Sequence, residues 1–172
     1  KTENFKLKSV NNQLVSINDL KGEKATLIMF ICNHCPYVKA IIKELIPECK
    51  NLMKLGINIV AIMSNDTKNY PEDSFENMIK FAEINNFGEI NYLIDNDQEV
   101  AKKYGAVCTP DFFGFNKDLK LQYRGRFKEL KNLKPVNQNE SDLSLAMKMI
   151  ASEQKGPQEQ IPSMGCNIKW NK

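Results

Sequence analysis

The run Ala25-Thr26-Leu27-Ile28-Met29-Phe30-Ile31 is apolar apart from one threonine, and it delivers the chain directly into Cys32-Asn33-His34-Cys35-Pro36. An apolar stretch without polar alternation reads as a strand covered on both faces. From Tyr37 to Leu55 the apolar residues Val38, Ile41, Ile42, Leu45 and Leu52 recur at helical spacing. Strand, tight turn and helix therefore follow one another, and two thiols in C-x-x-C spacing occupy the turn. Pro36 suits the first helical turn, where its missing N–H has no intrahelical partner to lose.

A dithiol in that position is suited to redox chemistry. The helix N-terminus offers unpaired N–H groups and positive potential to a thiolate, which favours ionisation of the first thiol. Cys32 is the expected nucleophile and Cys35 the thiol that closes the ring. His34, between them, adds positive charge when protonated and tunes the couple toward the oxidising side. Zinc is the competing use of a C-x-x-C, with Cys108 and Cys166 as the remaining thiolates. Structural zinc sites pair their ligands closely in sequence, and these two thiols are far apart with no histidine beside them, so no metal is expected.

The length of 172 residues, 42% of them hydrophobic, suits one domain with a full core. The net charge of +3 comes from scattered lysines, and the two arginines, Arg124 and Arg126, form no basic patch, so nucleic-acid binding is not expected. No apolar stretch is long enough to span a bilayer. Five cysteines are an odd and sparse set, which fits a reducing cytoplasm better than a disulfide scaffold. The chain begins at Lys1 without an initiator methionine, which leaves a removed leader, and so a periplasmic or secreted protein, open.

Along the chain, Phe5–Val10 and Leu14–Ile17 read as a hairpin around Asn11-Asn12-Gln13. Pro47 predicts a kink or break in the first long helix near Ile46. Ile57–Met63 reads as a second buried strand, Ser74–Asn86 as a helix, Tyr92–Ile94 as a short strand, and Gln98–Tyr104 as a helix capped by Gly105. Phe112–Phe115 and Leu119–Tyr123 form a second hairpin, and the last helix opens at Asn139-Glu140-Ser141-Asp142. These elements predict an α/β fold: a mixed central sheet with helices on both faces, an N-terminal hairpin extension over 1–20, and an irregular C-terminal tail over 156–172.

With its dithiol at the first long helix and Thr109-Pro110 before the late hairpin, the chain resembles thioredoxin-fold proteins. More narrowly it is similar to bacterial thioredoxin-like proteins of the redoxin, AhpC-TSA type. That resemblance is carried by CNHCPYVKA (32–40), SND (64–66), YPEDS (70–74), CTPDFFGF (108–115), YRGRF (123–127) and SMGCNIKW (163–170). It implies one thioredoxin-like domain over 1–172, with Cys32 attacking and Cys35 resolving. It also implies that Pro110 is a cis-proline facing the dithiol, with the Thr109 backbone available to a substrate peptide. Two departures stand out. Thioredoxins carry Trp just before the dithiol and a buried carboxylate six residues before its first cysteine; here those positions are Ile31 and Thr26. Peroxiredoxins place Thr three residues before the reacting cysteine, and here that residue is Met29.

Cys108 and Cys166 are possible accessory thiols. They pair and tie the tail across the domain, or Cys166 relays electrons to the dithiol, or both are simply packed residues. Asp66 and Asp73 read as loop and turn formers, and Arg124 and Arg126 as solvated charge. The functional expectation is a thiol-disulfide oxidoreductase that needs no organic cofactor and exchanges disulfides with a protein substrate and a redox-partner protein. Thiol-dependent peroxide reduction, and a metal- or haem-handling module that uses the C-x-x-C as soft ligands, are the alternatives.

Overall fold

The computed structural model describes residues 4–172, so the first three residues of the expected extension lie outside the described residues. β1 (Lys6–Ser9) and β2 (Leu14–Ser16) form the N-terminal hairpin, and Ser16 and Asp19 cap helix α1 (Ile17–Leu20) reciprocally. β3 (Ala25–Phe30), α2 (Pro36–Met53) and β4 (Ile57–Met63) make the first crossover unit. A 3-10 turn over Pro71–Asp73 leads into α3 (Phe75–Ile84), β5 (Asn91–Ile94) and α4 (Glu99–Tyr104). The two-residue strand β6 (Cys108–Thr109) precedes the hairpin of β7 (Asp111–Asn116) and β8 (Leu121–Gly125). A small ribbon, β9 (Leu130–Lys131) with β10 (Lys134–Pro135), helix α5 (Asp142–Glu153) and strand β11 (Cys166–Asn167) follow.

Seven strands form one mixed sheet in the order β2-β1-β5-β4-β3-β7-β8. β3, β4 and β5 are parallel, whereas β1 and β7 run antiparallel to their neighbours. β3 has a partner on each side, and all six of its residues are buried, which is what its unbroken apolar run requires. Strand alternation divides its side chains. Leu27 and Met29 share a core with α2, α3 and α5, while Ile28 and Phe30 share one with α1 and α4.

The first long helix differs from expectation at Pro47, because α2 runs unbroken from Pro36 to Met53. An interior proline costs about 3 kcal/mol. Leu45, Ile46 and Leu52 are buried around it, and each such side chain contributes about 1.5–3 kcal/mol. The packed face outweighs the lost bond, and Pro47 itself is on the exposed side. Gly105 closes α4 at φ 75°, a left-handed conformation that glycine adopts without cost.

The ribbon of β9 and β10 carried no signal in the sequence, and neither did the path of the tail. From Gly156 the tail runs along β8, where Arg126 N–H donates to Ile161 O at 2.8 Å and Ser163 Oγ donates to Gly125 O at 2.7 Å. It then pairs antiparallel with β6, setting Cys166 opposite Thr109 and Asn167 opposite Cys108. Its end is fastened by Lys169 N–H on Asn65 Oδ1 at 2.9 Å and Asn171 N–H on Gln98 Oε1 at 2.8 Å.

Candidate active site

The dithiol sits where β3 ends and α2 begins, on the side of the sheet where the parallel strands have their carboxyl ends. Both cysteines are about 1% exposed. The Thr109–Pro110 peptide bond is cis, and Thr109 touches both thiols. Its hydroxyl lies 3.6 Å from Cys32 Sγ, and in the neutral pair its carbonyl accepts the Cys35 thiol at 3.4 Å.

The two sulfurs bear directly on each other's ionisation, so their protons leave as those of a pair, in two separated steps. Cys35 is drawn below the ordinary thiol range, first by the Cys32 thiol; burial opposes this, and the Cys166 thiol, the Val38 N–H and Thr109 reinforce it. Cys32 is driven far above the ordinary range, first by Cys35, then by burial and by the nearby charge of Asp73. These directions favour ionisation at Cys35 over Cys32, whereas the sequence points to Cys32. The pair's mutual interaction comes first, the Val38 N–H of the first turn of α2 adds to it at the second cysteine, and a carboxylate from a distant segment stands beside the first.

That carboxylate is Asp73, wholly buried at the end of the 3-10 turn. Its Oδ1 accepts the Asn33 N–H at 2.7 Å, and its Oδ2 accepts Asn65 Nδ2 at 2.9 Å. His34 Nδ1 lies 2.7 Å from the same Oδ2, close enough for an ion pair but off the line of a directed hydrogen bond. The His34 ring is 27% exposed and stacks on Tyr70 at 6.1 Å. His34 therefore spans from the buried network to solvent. Asn33 completes the network: its Oδ1 accepts the Tyr92 hydroxyl at 2.8 Å, and its Nδ2 donates to Glu72 O at 3.1 Å. The two cysteines of the C-x-x-C turn are thus met by Thr109, and the two residues between them by Asp73.

In the sequence Asp73 reads as a turn former, and the short blocks SND and YPEDS are the signal for Asn65 and Asp73, which the fold brings onto the dithiol turn. Asn33 lies within the C-x-x-C itself, and Tyr92 lies in a strand outside every block. Thr26, at the position where thioredoxins hold a carboxylate, instead accepts the Gly22 N–H at 2.9 Å. Asp66 is a loop former, accepting Lys68 N–H at 3.0 Å and Asn69 Nδ2 at 2.5 Å.

Of the accessory thiols, the fold brings Cys166 against the core cluster that holds the dithiol, opposite Thr109. The Cys166 thiol favours the Cys35 thiolate, and the Tyr37 N–H in turn favours the Cys166 thiolate. Cys108 approaches Pro110 O at 3.8 Å and faces Asn167 across the ribbon, so the two accessory thiols are not a pair. All five cysteines are free, and Cys49 is buried against the Met29 sulfur at 3.9 Å. The arginines also carry acidic partners: the exposed Arg124 pairs with Asp111 at 3.1 Å and the half-buried Arg126 with Asp142 at 2.7 Å.

Beside Pro110 opens a groove of about 160 Å³, walled by Ile41, Phe112, Phe127, Leu130, Ile161 and Met164. Cys32, His34 and Asp73 bring three potential metal-binding atoms within 4.8 Å of one another. Both Asp73 oxygens already accept hydrogen bonds that hold the dithiol turn, so an ion there would compete with the loop's own fastening.

The AhpC/TSA family model matches residues 1–124. An uncharacterised conserved protein from Geobacillus kaustophilus is 42% identical, with 99% of this chain and 90% of that chain covered and a TM-score of 0.94. A hypothetical protein from Sinorhizobium meliloti is 34% identical, with 99% and 93% covered and a TM-score of 0.91. A secreted Mycobacterium tuberculosis disulfide oxidoreductase homologous to E. coli DsbE is 18% identical over 69% of this chain and 80% of that one, with a TM-score of 0.58, a likeness of fold alone. No curated protein matches the chain. With the sheet order, the cis-proline and a family match over most of its length, this thioredoxin-like chain belongs to the AhpC/TSA family.

Proposed function

We propose that the protein is a thiol-disulfide oxidoreductase whose redox centre is Cys32 and Cys35. The observation that carries this reading is the placement of both cysteines against the cis Thr109–Pro110 bond, with the Thr109 hydroxyl 3.6 Å from Cys32 Sγ and its carbonyl 3.4 Å from Cys35 Sγ. A pair that holds one thiolate and one proton is ready for exchange. The Cys35 thiolate takes the Cys32 proton, and the Cys32 sulfur attacks one sulfur of a substrate disulfide. A mixed disulfide forms, and the other substrate sulfur leaves as a thiolate. Cys35 then gives up its proton and displaces the remaining substrate sulfur. The substrate gains two electrons and the pair's single proton, its second thiolate taking a proton from solvent, and the protein keeps a Cys32–Cys35 disulfide.

His34 and Asp73 serve the proton traffic. The His34 ring stands beside the buried Asp73 carboxylate, and its exposed edge gives protons from this enclosed site a way to solvent. The reaction needs no organic cofactor, and its electrons come from a protein or small-molecule thiol. No helix among the described residues is long and apolar enough to cross a membrane.

Replacing Cys35 with Ser tests the assignment. The variant should slowly accumulate a mixed disulfide on Cys32 when given a disulfide-bonded peptide at alkaline pH, because the resolving step is gone and the base that takes the Cys32 proton has gone with it. Capture of the peptide on any other cysteine, or none at all, sinks the reading. Peroxide reduction is the second reading, favoured by the Thr109 hydroxyl 3.6 Å from Cys32 Sγ, where it can hold a peroxide oxygen. Hydrogen peroxide consumed faster than peptide disulfide would move the assignment to that chemistry.

A further inference from the structure

The tail puts a third sulfur on the dithiol and closes the edge at which a substrate strand would pair. Cys166 stands opposite Thr109 in the β6–β11 ribbon, and Ile168 N–H donates to Val107 O at 2.9 Å, so this side of the loop before Pro110 is already paired. The approach is close: a Cβ on Gly165 would lie 2.1 Å from Thr109 O, so only glycine fits there. Cys166 packs against the core cluster that contains both dithiol cysteines, and its thiol is near enough to Cys35 to favour the thiolate there. Cys32 and Cys35 are almost sealed, whereas Cys166 is half-buried.

We infer that Cys166 is a third redox thiol, which takes over the disulfide from Cys32–Cys35 and presents it near the surface. The Cys166 sulfur, having lost its proton, attacks Cys35 Sγ of the Cys32–Cys35 disulfide. The Cys35–Cys166 bond forms, the Cys32–Cys35 bond breaks, and Cys32 leaves as a thiolate that takes up the released proton. The protein holds one disulfide before and after, so the step needs no further oxidant. The Tyr37 N–H favours the attacking thiolate, and the ribbon with Thr109 holds it against its target. A reducing partner then meets a disulfide at the half-buried Cys166 and need not reach a sealed pair. In the same state the tail is bonded covalently to the start of α2, so the ribbon that covers the Thr109 edge is locked in place until that bond is reduced.

The step rests on Cys32–Cys35 being a redox couple, and one experiment separates the two claims. Fully reduced protein is given a small excess of hydroxyethyl disulfide, quenched in acid over time, alkylated, cleaved at lysines without reduction and mapped by mass. A Cys32–Cys35 bond stays within the peptide 25–39, whereas a Cys35–Cys166 bond joins 25–39 to 156–169. The expected course is that the internal bond appears first and the joined peptides then grow at its expense. The Cys32→Ser variant should give the joined peptides directly and in nearly full yield. If the wild type forms the internal bond while Cys166 stays alkylated throughout, the relay is wrong and the couple stands. If no internal bond forms and 25–39 remains fully alkylated, the couple itself fails and the relay with it.

Discussion

His34 Nδ1 lies 2.7 Å from Asp73 Oδ2, which places a buried carboxylate beside the dithiol although none lies on the strand leading into it. Asp73 comes from the 3-10 turn before α3, and it also holds the Asn33 N–H, so it fixes the turn while setting its electrostatics. Its charge adds to the Cys35 contact and to burial in holding the proton on Cys32, which favours ionisation at Cys35.

Replacing Asp73 with Ala should cost about 2–3 kcal/mol of stability, because it strands buried donors on Asn33 and Asn65. The same change removes the charge that opposes a Cys32 thiolate, so the Cys32 thiol should ionise at lower pH. Urea denaturation and thiolate absorbance near 240 nm read the two effects. Unchanged ionisation of Cys32 counts against the electrostatic role.

Reduced protein should keep about one thiolate per molecule at pH 6, well below the ordinary thiol value of about 8.5. Cys35→Ser should abolish it, since Cys32 is held protonated. Because the folded Cys35 value is depressed, its contribution to stability is full above the unfolded value and is lost as pH falls toward the folded one. The stability gap between reduced wild type and Cys35→Ser should therefore shrink as pH falls from about 9 to 5. A gap that widens on acidification contradicts the assignment of the charge.

Tyr92→Phe removes the hydroxyl that donates to Asn33 Oδ1 at 2.8 Å and keeps the packed ring. The expected loss is about 1–2 kcal/mol, with the fold retained. Alkylation of the dithiol should quicken, because Asn33 is freed on one side. Equal alkylation rates would show that the turn does not depend on Tyr92.

Gly165→Ala should lift the tail ribbon off Thr109, since the added methyl meets the Thr109 carbonyl. Hydrogen exchange at Cys166–Ile168 should rise by an order of magnitude or more, with the sheet unaffected. Unaltered exchange in the tail would mean that the close approach at Gly165 is readily relieved.

The strand–turn–helix unit was legible because its signals are local: the apolar run before Cys32, the helical spacing after it and proline at the first turn. The Gly105 cap and the late hairpin were legible for the same reason. Asp73 was not, because its partners Asn33 and His34 lie on another element and an aspartate in a turn carries no periodic signal. The tail was hidden likewise. It is held by backbone pairing with β6 and by side-chain amides of Asn65 and Gln98, which leave no apolar pattern to read. Pro47 misled because a local penalty was weighed without the buried face that offsets it.

The most direct test of the redox assignment is the reduction potential of the full-length chain, by equilibration in graded dithiol buffers, acid quench, alkylation and mass counting. A thiolate stabilised in the reduced form makes a disulfide easier to reduce. The result predicted is one reversible two-electron couple that vanishes in Cys35→Ser, with a potential less negative than about −270 mV, the thioredoxin value. A chain whose dithiol stays fully alkylatable across the range, or whose couple survives the loss of Cys35, contradicts the account.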